Sequence, residues 1–278
     1  MGIDAWHAAG FRGQGVKVAV FDIQWSGAQA DPAGIAAAAT ADCWAHPSCE
    51  VPLALDTQRF GYERGTHGLA CAEVVRDVAP EASLYLVRVT GRTTFESAAR
   101  WAVRHDIDVV SLSMSFFNGS FYDGTGPYAD IVRELDAAGV LLVTSAGNYA
   151  RQHWDAPWRD GDADGRHDLE GDNGLALELS AGRRTVYVQW DEHFACGRSD
   201  LDALVYDPSG FVVGRGLERQ GLDEHGCRPL ERVTVEASRT GVYRLEIIAR
   251  RLTTPYLEVD VLTPGGRVVN AIPERSLA

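Results

Sequence analysis

The chain has 278 residues, 45% of them hydrophobic and 23% charged, with a formal net charge of -13. This is the composition of a globular protein with one large core or two ordinary ones. The acidic balance argues against a nucleic-acid partner, which would require a basic face, and no apolar run reaches the roughly 20 residues of a membrane span.

The N-terminus, M-G-I-D-A-W-H-A-A-G, lacks the basic-then-apolar pattern of a secretory signal, so any export signal is expected outside these residues. The first 150 residues alternate between strand and helix patterns. V-K-V-A-V-F (16–21) reads as a strand, H-G-L-A-C-A-E-V-V (67–75) opens a helix, and S-L-Y-L-V-R-V (83–89) is a second strand. Thr93 and Glu96 are spaced as a capping box for a helix carrying Phe95, Ala98, Ala99, Ala102 and Val103. I-D-V-V-S-L-S-M (107–114) is a third strand. Pro127 starts a helix with Ile131, Val132 and Leu135 on one face, and Gly139 ends it. Leu141, Leu142 and Val143 read as a buried fourth strand leading into Ser145-Ala146-Gly147-Asn148. Strands separated by such helices imply right-handed crossovers and a parallel α/β sheet.

Beyond Asn148 the pattern changes. Residues 151–173 are acidic and poor in aliphatic side chains, and are expected to form a linker or a calcium-type loop. From 174 to 270 the period becomes two, with turn signals at Pro208-Ser209-Gly210 and Pro264-Gly265-Gly266, the pattern of an antiparallel β-sandwich. Tyr187, Trp190 and Tyr206 are expected in its core, and Ser209 and Ser238 in its turns. Residues 271–278 are expected to begin a return to the first domain.

The cysteines bear on compartment. Cys43 and Cys49 flank a short loop that a disulfide could close, Cys196 and Cys227 form a second candidate pair, and Cys71 falls in an apolar helical pattern as a buried free thiol. Two such pairs suit an oxidising compartment, and no C-x-x-C spacing supports the rival zinc reading. In the acidic stretch, Asp160, Asp162 and Asp164 alternate before Gly165, with Asp168 following. That spacing lets carboxylates converge on a structural calcium ion; a solvated acidic turn is the alternative reading.

Three positions carry the chemistry. Asp22 ends the first strand, His67 begins a helix, and Asn148 follows the fourth strand, and functional groups of parallel sheets gather at the carboxyl ends of strands. A buried carboxylate can orient an imidazole, and an amide can donate to an oxyanion. The blocks G-Q-G-V-K-V-A-V-F-D, T-H-G-L-A-C-A-E-V-V-R-D-V-A-P-E-A-S-L, D-V-V-S-L-S-M-S and S-A-G-N, in this order, resemble the subtilisin-like serine proteases, or subtilases. The resemblance implies a subtilisin-like domain over residues 1–150, incomplete and carrying the sandwich as an insertion, in a secreted or cell-envelope serine endopeptidase. It implies Asp22 as triad acid, His67 as general base and Asn148 as oxyanion donor, with no cofactor required for catalysis. By the same resemblance, Ser113, Met114 and Ser115 lie on the strand that pairs with an extended polypeptide substrate. Ile23, Gln24 and Trp25 depart from the family's usual Thr or Ser and Gly after the aspartate, and Leu69 from its usual Thr. The family's G-T-S nucleophile motif does not occur: Gly65-Thr66 runs into His67 and Gly124-Thr125 into Gly126. The serine is therefore expected beyond Ala278. The alternative is a catalytically dead scaffold that only binds peptide. A first strand running into Asp22-Ile23-Gln24 instead of a G-x-G-x-x-G loop argues against nucleotide binding.

Overall fold

The computed structural model describes residues 2–26, 35–53, 65–116, 119–121, 123–149, 151–169, 173–192, 198–220, 228–254 and 258–269. They fall into two compact units, Met1–Phe116 with Asp130–Ser145, and Phe117–Ala129 with Ala146–Ala278.

The first unit opens with a short exposed helix, α1 (Ile3–Ala8), and continues through β1 (Lys17–Asp22), β2 (Ala39–Asp42), α2 (His67–Val78), β3 (Ser83–Arg88), α3 (Arg92–Arg104) and β4 (Val109–Leu112). Helix α4 (Pro127–Ala137) then leads to β5 (Leu141–Thr144). The strands make one parallel sheet in the order β2-β3-β1-β4-β5. Central β1 is buried on both faces, which explains its unbroken apolar run. Val18 and Val20 pack with Leu84, Leu86 and Ala72 of α2, whereas Phe21 meets Phe95 of α3 edge-on at 6.3 Å. The two helices thus cover opposite faces, as the period of two along the strand requires.

Helix α3 begins at Arg92, ahead of the expected Thr93 cap. Thr94 Oγ1 accepts from the amide of Gly91 at 3.0 Å, and Glu96 pairs with Arg100 instead of capping. At the other end of the sheet, β5 is a strand but not a buried one: Leu141 is 60% exposed and Val143 50%. An apolar run cannot distinguish a central strand from an edge strand, and among the described strands the sheet order places β5 at the edge.

In the second unit two antiparallel sheets share one apolar core. One has the order β10-β9-β12-β7-β14 and the other β11-β8-β13-β6, with β6 at His153–Pro157, β7 at Leu175–Leu179, β8 at Gly182–Trp190, β9 at Asp200–Tyr206, β10 at Val212–Gly216, β11 at Leu230–Ala237, β12 at Gly241–Arg251, β13 at Glu258–Leu262 and β14 at Gly266–Val268. Alternate residues point inward, such as Leu175, Leu177 and Leu179, or Val186, Val188 and Trp190. Each buried side chain of this kind contributes about 1.5–3 kcal/mol. The acidic stretch is not wholly a connector, since β6 lies within it, pairs with β13 and buries Trp154. Of the aromatic trio, Trp190 is core, but Tyr187 and Tyr206 are half-buried beneath the guanidinium groups of Arg232 and Arg244. Tyr187 and Trp190 differ by an odd number of positions, so a strand must send them to opposite faces. Ser209 sits in the turn between β9 and β10, where its amide donates to Asp207 Oδ1 at 2.8 Å.

Candidate active site

Strand β1 ends on Asp22, whose side chain is 1% exposed. Its carboxylate has two partners: Oδ1 accepts the backbone N–H of Gln24 at 2.9 Å, and Oδ2 lies 2.6 Å from His67 Nδ1. The carbonyl of Asp22 accepts from the indole N–H of Trp25, itself fully buried, at 3.0 Å. Gln24 and Trp25, the departure from the usual pattern, therefore clamp the aspartate from behind.

His67 is brought to this carboxylate by the start of α2. The amide of Gly68 donates to Gln24 O at 2.9 Å, tying helix start to strand end. A Cβ at Gly68 would lie 2.7 Å from Asp22 Cβ and 2.8 Å from Gln24 O, so only glycine allows this approach. The sequence showed G-T-H-G, but nothing local revealed why the second glycine was needed. An ionised carboxylate only accepts, so Nδ1 carries the proton and the neutral ring keeps its lone pair on Nε2. The His67 side chain is 51% exposed, which leaves that nitrogen within reach of a ligand. A buried acceptor orienting a half-open imidazole can relay a proton at Nε2 and stabilise the resulting cation.

Cys71 lies one helical turn beyond His67 on the same face. It is a free thiol, but half-buried instead of buried, because that face of α2 borders the opening at His67. Its Sγ is 3.9 Å from His67 Nδ1. Burial pushes the thiol pKa up and the Asp22 charge adds to this, while a hydrogen bond with the Ser113 side chain pulls the other way. Sequence reading of α2 as an apolar pattern missed this cysteine as a member of the site; its i+4 spacing from His67 was the available signal.

Ser113, Met114 and Ser115 form a half-buried stretch directly after β4. Asn148 follows β5, is exposed, and belongs to the second unit. Cys43 and Cys49 are joined by a disulfide, whereas Cys196 and Cys227 lie outside the described residues. In the acidic loop, one carboxylate oxygen from each of Asp160, Asp162 and Asp164 comes within 4.8 Å of the others. Much of this is local turn geometry. Asp160 accepts the amides of Asp164 and Gly165, and Asp168 that of Gly161. Asp164 is held below the usual carboxylate range by hydrogen bonds from the Arg166 backbone and side chain and from Asn173. Among the described residues no helix is long and apolar enough to cross a membrane.

A parallel sheet flanked by helices, with an Asp–His pair at the carboxyl end of its central strand, defines an α/β protein with a candidate acid–base site. The sequence model of the Subtilase family matches residues 13–170, more than half of the chain, and the chain belongs to that family. Among solved structures it is similar to the CspB protease of Clostridium perfringens, with a TM-score of 0.55 at 13% identity, covering 96% of this chain and 67% of that one. At that identity the likeness bears on fold alone. AlgX of Pseudomonas aeruginosa aligns at a TM-score of 0.28 and 9% identity, over 89% of this chain and 47% of that one, a value that carries no argument. No curated protein matches the chain.

Proposed function

We propose that these residues are the acid–base part of a serine endopeptidase whose nucleophile is supplied by polypeptide outside the 278 residues. The reading rests on one observation above all: buried Asp22 holds half-exposed His67 at 2.6 Å through Nδ1, leaving Nε2 for the nucleophile's proton. His67 takes that proton as the serine attacks a peptide carbonyl and returns it to the leaving amine. Asp22 fixes the tautomer and stabilises the imidazolium. Ser113, Met114 and Ser115 pair with the extended backbone of the substrate. The exposed apolar residues of β5 favour a further strand beside it, and the two-sheet unit is then a β-sandwich insertion. The Cys43–Cys49 disulfide suits a secreted or cell-envelope site of action.

The absence of G-T-S favours a second reading, a scaffold that binds peptide without cutting it. The two part on one experiment. The coding sequence past Ala278 is read for G-T-S opening a helix, and the longer chain is assayed on an unfolded protein substrate. Hydrolysis that falls on the order of 10⁴-fold or more in Asp22→Asn and His67→Ala supports the enzyme. A longer chain without the motif, or hydrolysis indifferent to His67, leaves the binding scaffold.

A further inference from the structure

We propose that Asp22, His67 and Cys71 together form a site for a soft divalent cation of the zinc type, and that filling it shuts off the proton relay. The consequence for catalysis rests on the function proposed above; the site itself rests on geometry alone. Asp22 Oδ2, His67 Nδ1 and Cys71 Sγ all lie within 4.8 Å of one another, with Oδ2–Nδ1 at 2.6 Å and Nδ1–Sγ at 3.9 Å. Zinc takes ligand distances of about 2.0–2.3 Å in a tetrahedron, which separates neighbouring ligand atoms by about 3.3–3.6 Å. The sulfur must therefore approach by a few tenths of an ångström, and the Asp22–His67 contact must open by somewhat more than half an ångström.

Both movements are available. The His67 side chain is half exposed and can swing away from the carboxylate, and Cys71 lies on the same face of the same helix. Carboxylate oxygen, imidazole nitrogen and thiolate sulfur make a set that zinc and cobalt accept, whereas calcium and magnesium require oxygens. A supporting contact is in place: the Gln24 amide holds Asp22 Oδ1.

The protons balance without any redox step. The thiol gives one proton to solvent as the sulfur–metal bond forms. The imidazole gives up its Nδ1 proton to the metal's approach and takes one at Nε2, a change of tautomer with no net release. That change is the switch. The relay needs a lone pair on Nε2, and a cation on Nδ1 leaves a proton there instead.

Cobalt(II) titrated into the purified chain tests the site directly. The expected result is one ion per chain, with tetrahedral bands in the visible and a thiolate-to-cobalt charge-transfer band in the near ultraviolet, both removed by added zinc. Cys71→Ser must abolish the charge-transfer band, and His67→Gln, with its far-ultraviolet dichroism matching the wild type, must weaken binding at least about tenfold. A charge-transfer band surviving in Cys71→Ser, or cobalt bound only through oxygen ligands, overturns the proposal. In a longer, hydrolytic chain, zinc must lower the rate, and the ratio of inhibited to uninhibited rate must return towards one in Cys71→Ser. A longer chain that never hydrolyses peptide but shows the thiolate band retires the enzyme reading and leaves the metal site standing. Hydrolysis without the band does the reverse.

Discussion

Replacing Glu231 by glutamine probes the second unit where its chemistry is most exacting. Glu231 is the second residue of β11 and is fully buried. Its Oε1 accepts from Gln220 Nε2 at 2.7 Å, and Oε2 has no hydrogen-bond partner among the described residues. Burial pushes its carboxyl from an ordinary 4.5 up to about 8, the charges of Glu218 and Asp202 push the same way, and the Gln220 bond opposes them. The folded state therefore binds a proton more tightly than the unfolded chain does. Stability from this group is complete below pH 4.5 and is lost as the pH rises towards and through about 8. At about 1.4 kcal/mol per pH unit, the interval between those values amounts to a ceiling of roughly 5 kcal/mol. Glutamine reproduces the neutral acid and cannot ionise. Urea unfolding, followed by fluorescence of Trp154, Trp158 and Trp190 in this core, should show the wild type several kcal/mol weaker at pH 8.5 than at pH 5.5. The variant should exceed the wild type by about 1.4 kcal/mol at pH 5.5 and by roughly three times that at pH 8.5. An equal loss in both proteins would show that Glu231 is not the titrating group and would refute the reasoning.

Three further outcomes are expected. Gly68→Ala places a methyl group against Asp22 and Gln24 O, so the downfield Nδ1 proton resonance expected of His67 should vanish while the far-ultraviolet dichroism is kept; an unchanged resonance would contradict the account of that glycine. Arg88→Met strips the buried Asp42 carboxylate of its ion-pair partner at 2.8 Å, and should cost about 3–5 kcal/mol in calorimetric stability. The double variant Asp42→Leu with Arg88→Met should recover part of that loss. Leu177→Ala opens a cavity in a fully buried position between the two sheets, and should cost about 2–5 kcal/mol by denaturant unfolding.

Much of the first unit was legible because local rules govern it. Val18 to Phe21 is apolar at every position, which only a strand covered on both faces tolerates, and the helix starts at His67 and Pro127 are observed at those residues. The chemical types of Asp22 and His67 at a strand end and a helix start marked them for attention. Their 2.6 Å contact spans 45 positions and no local pattern encodes it. The departures Gln24 and Trp25 hold the aspartate through hydrogen bonds that their sequence pattern did not announce.

The sequence by itself determined the period of each segment, the parallel α/β class of the first half, the two-residue alternation of the second, and the absence of a G-T-S motif. These follow from side-chain type and spacing, which act within one helical turn or one strand. Only the tertiary structure decided that Leu141 and Val143 of β5 are exposed, that part of the acidic stretch is a paired strand, that Gly68 must lack a side chain and that Cys71 stands beside the Asp–His pair. Each of those depends on which distant segment lies across the contact, and packing between segments is a property of the folded whole.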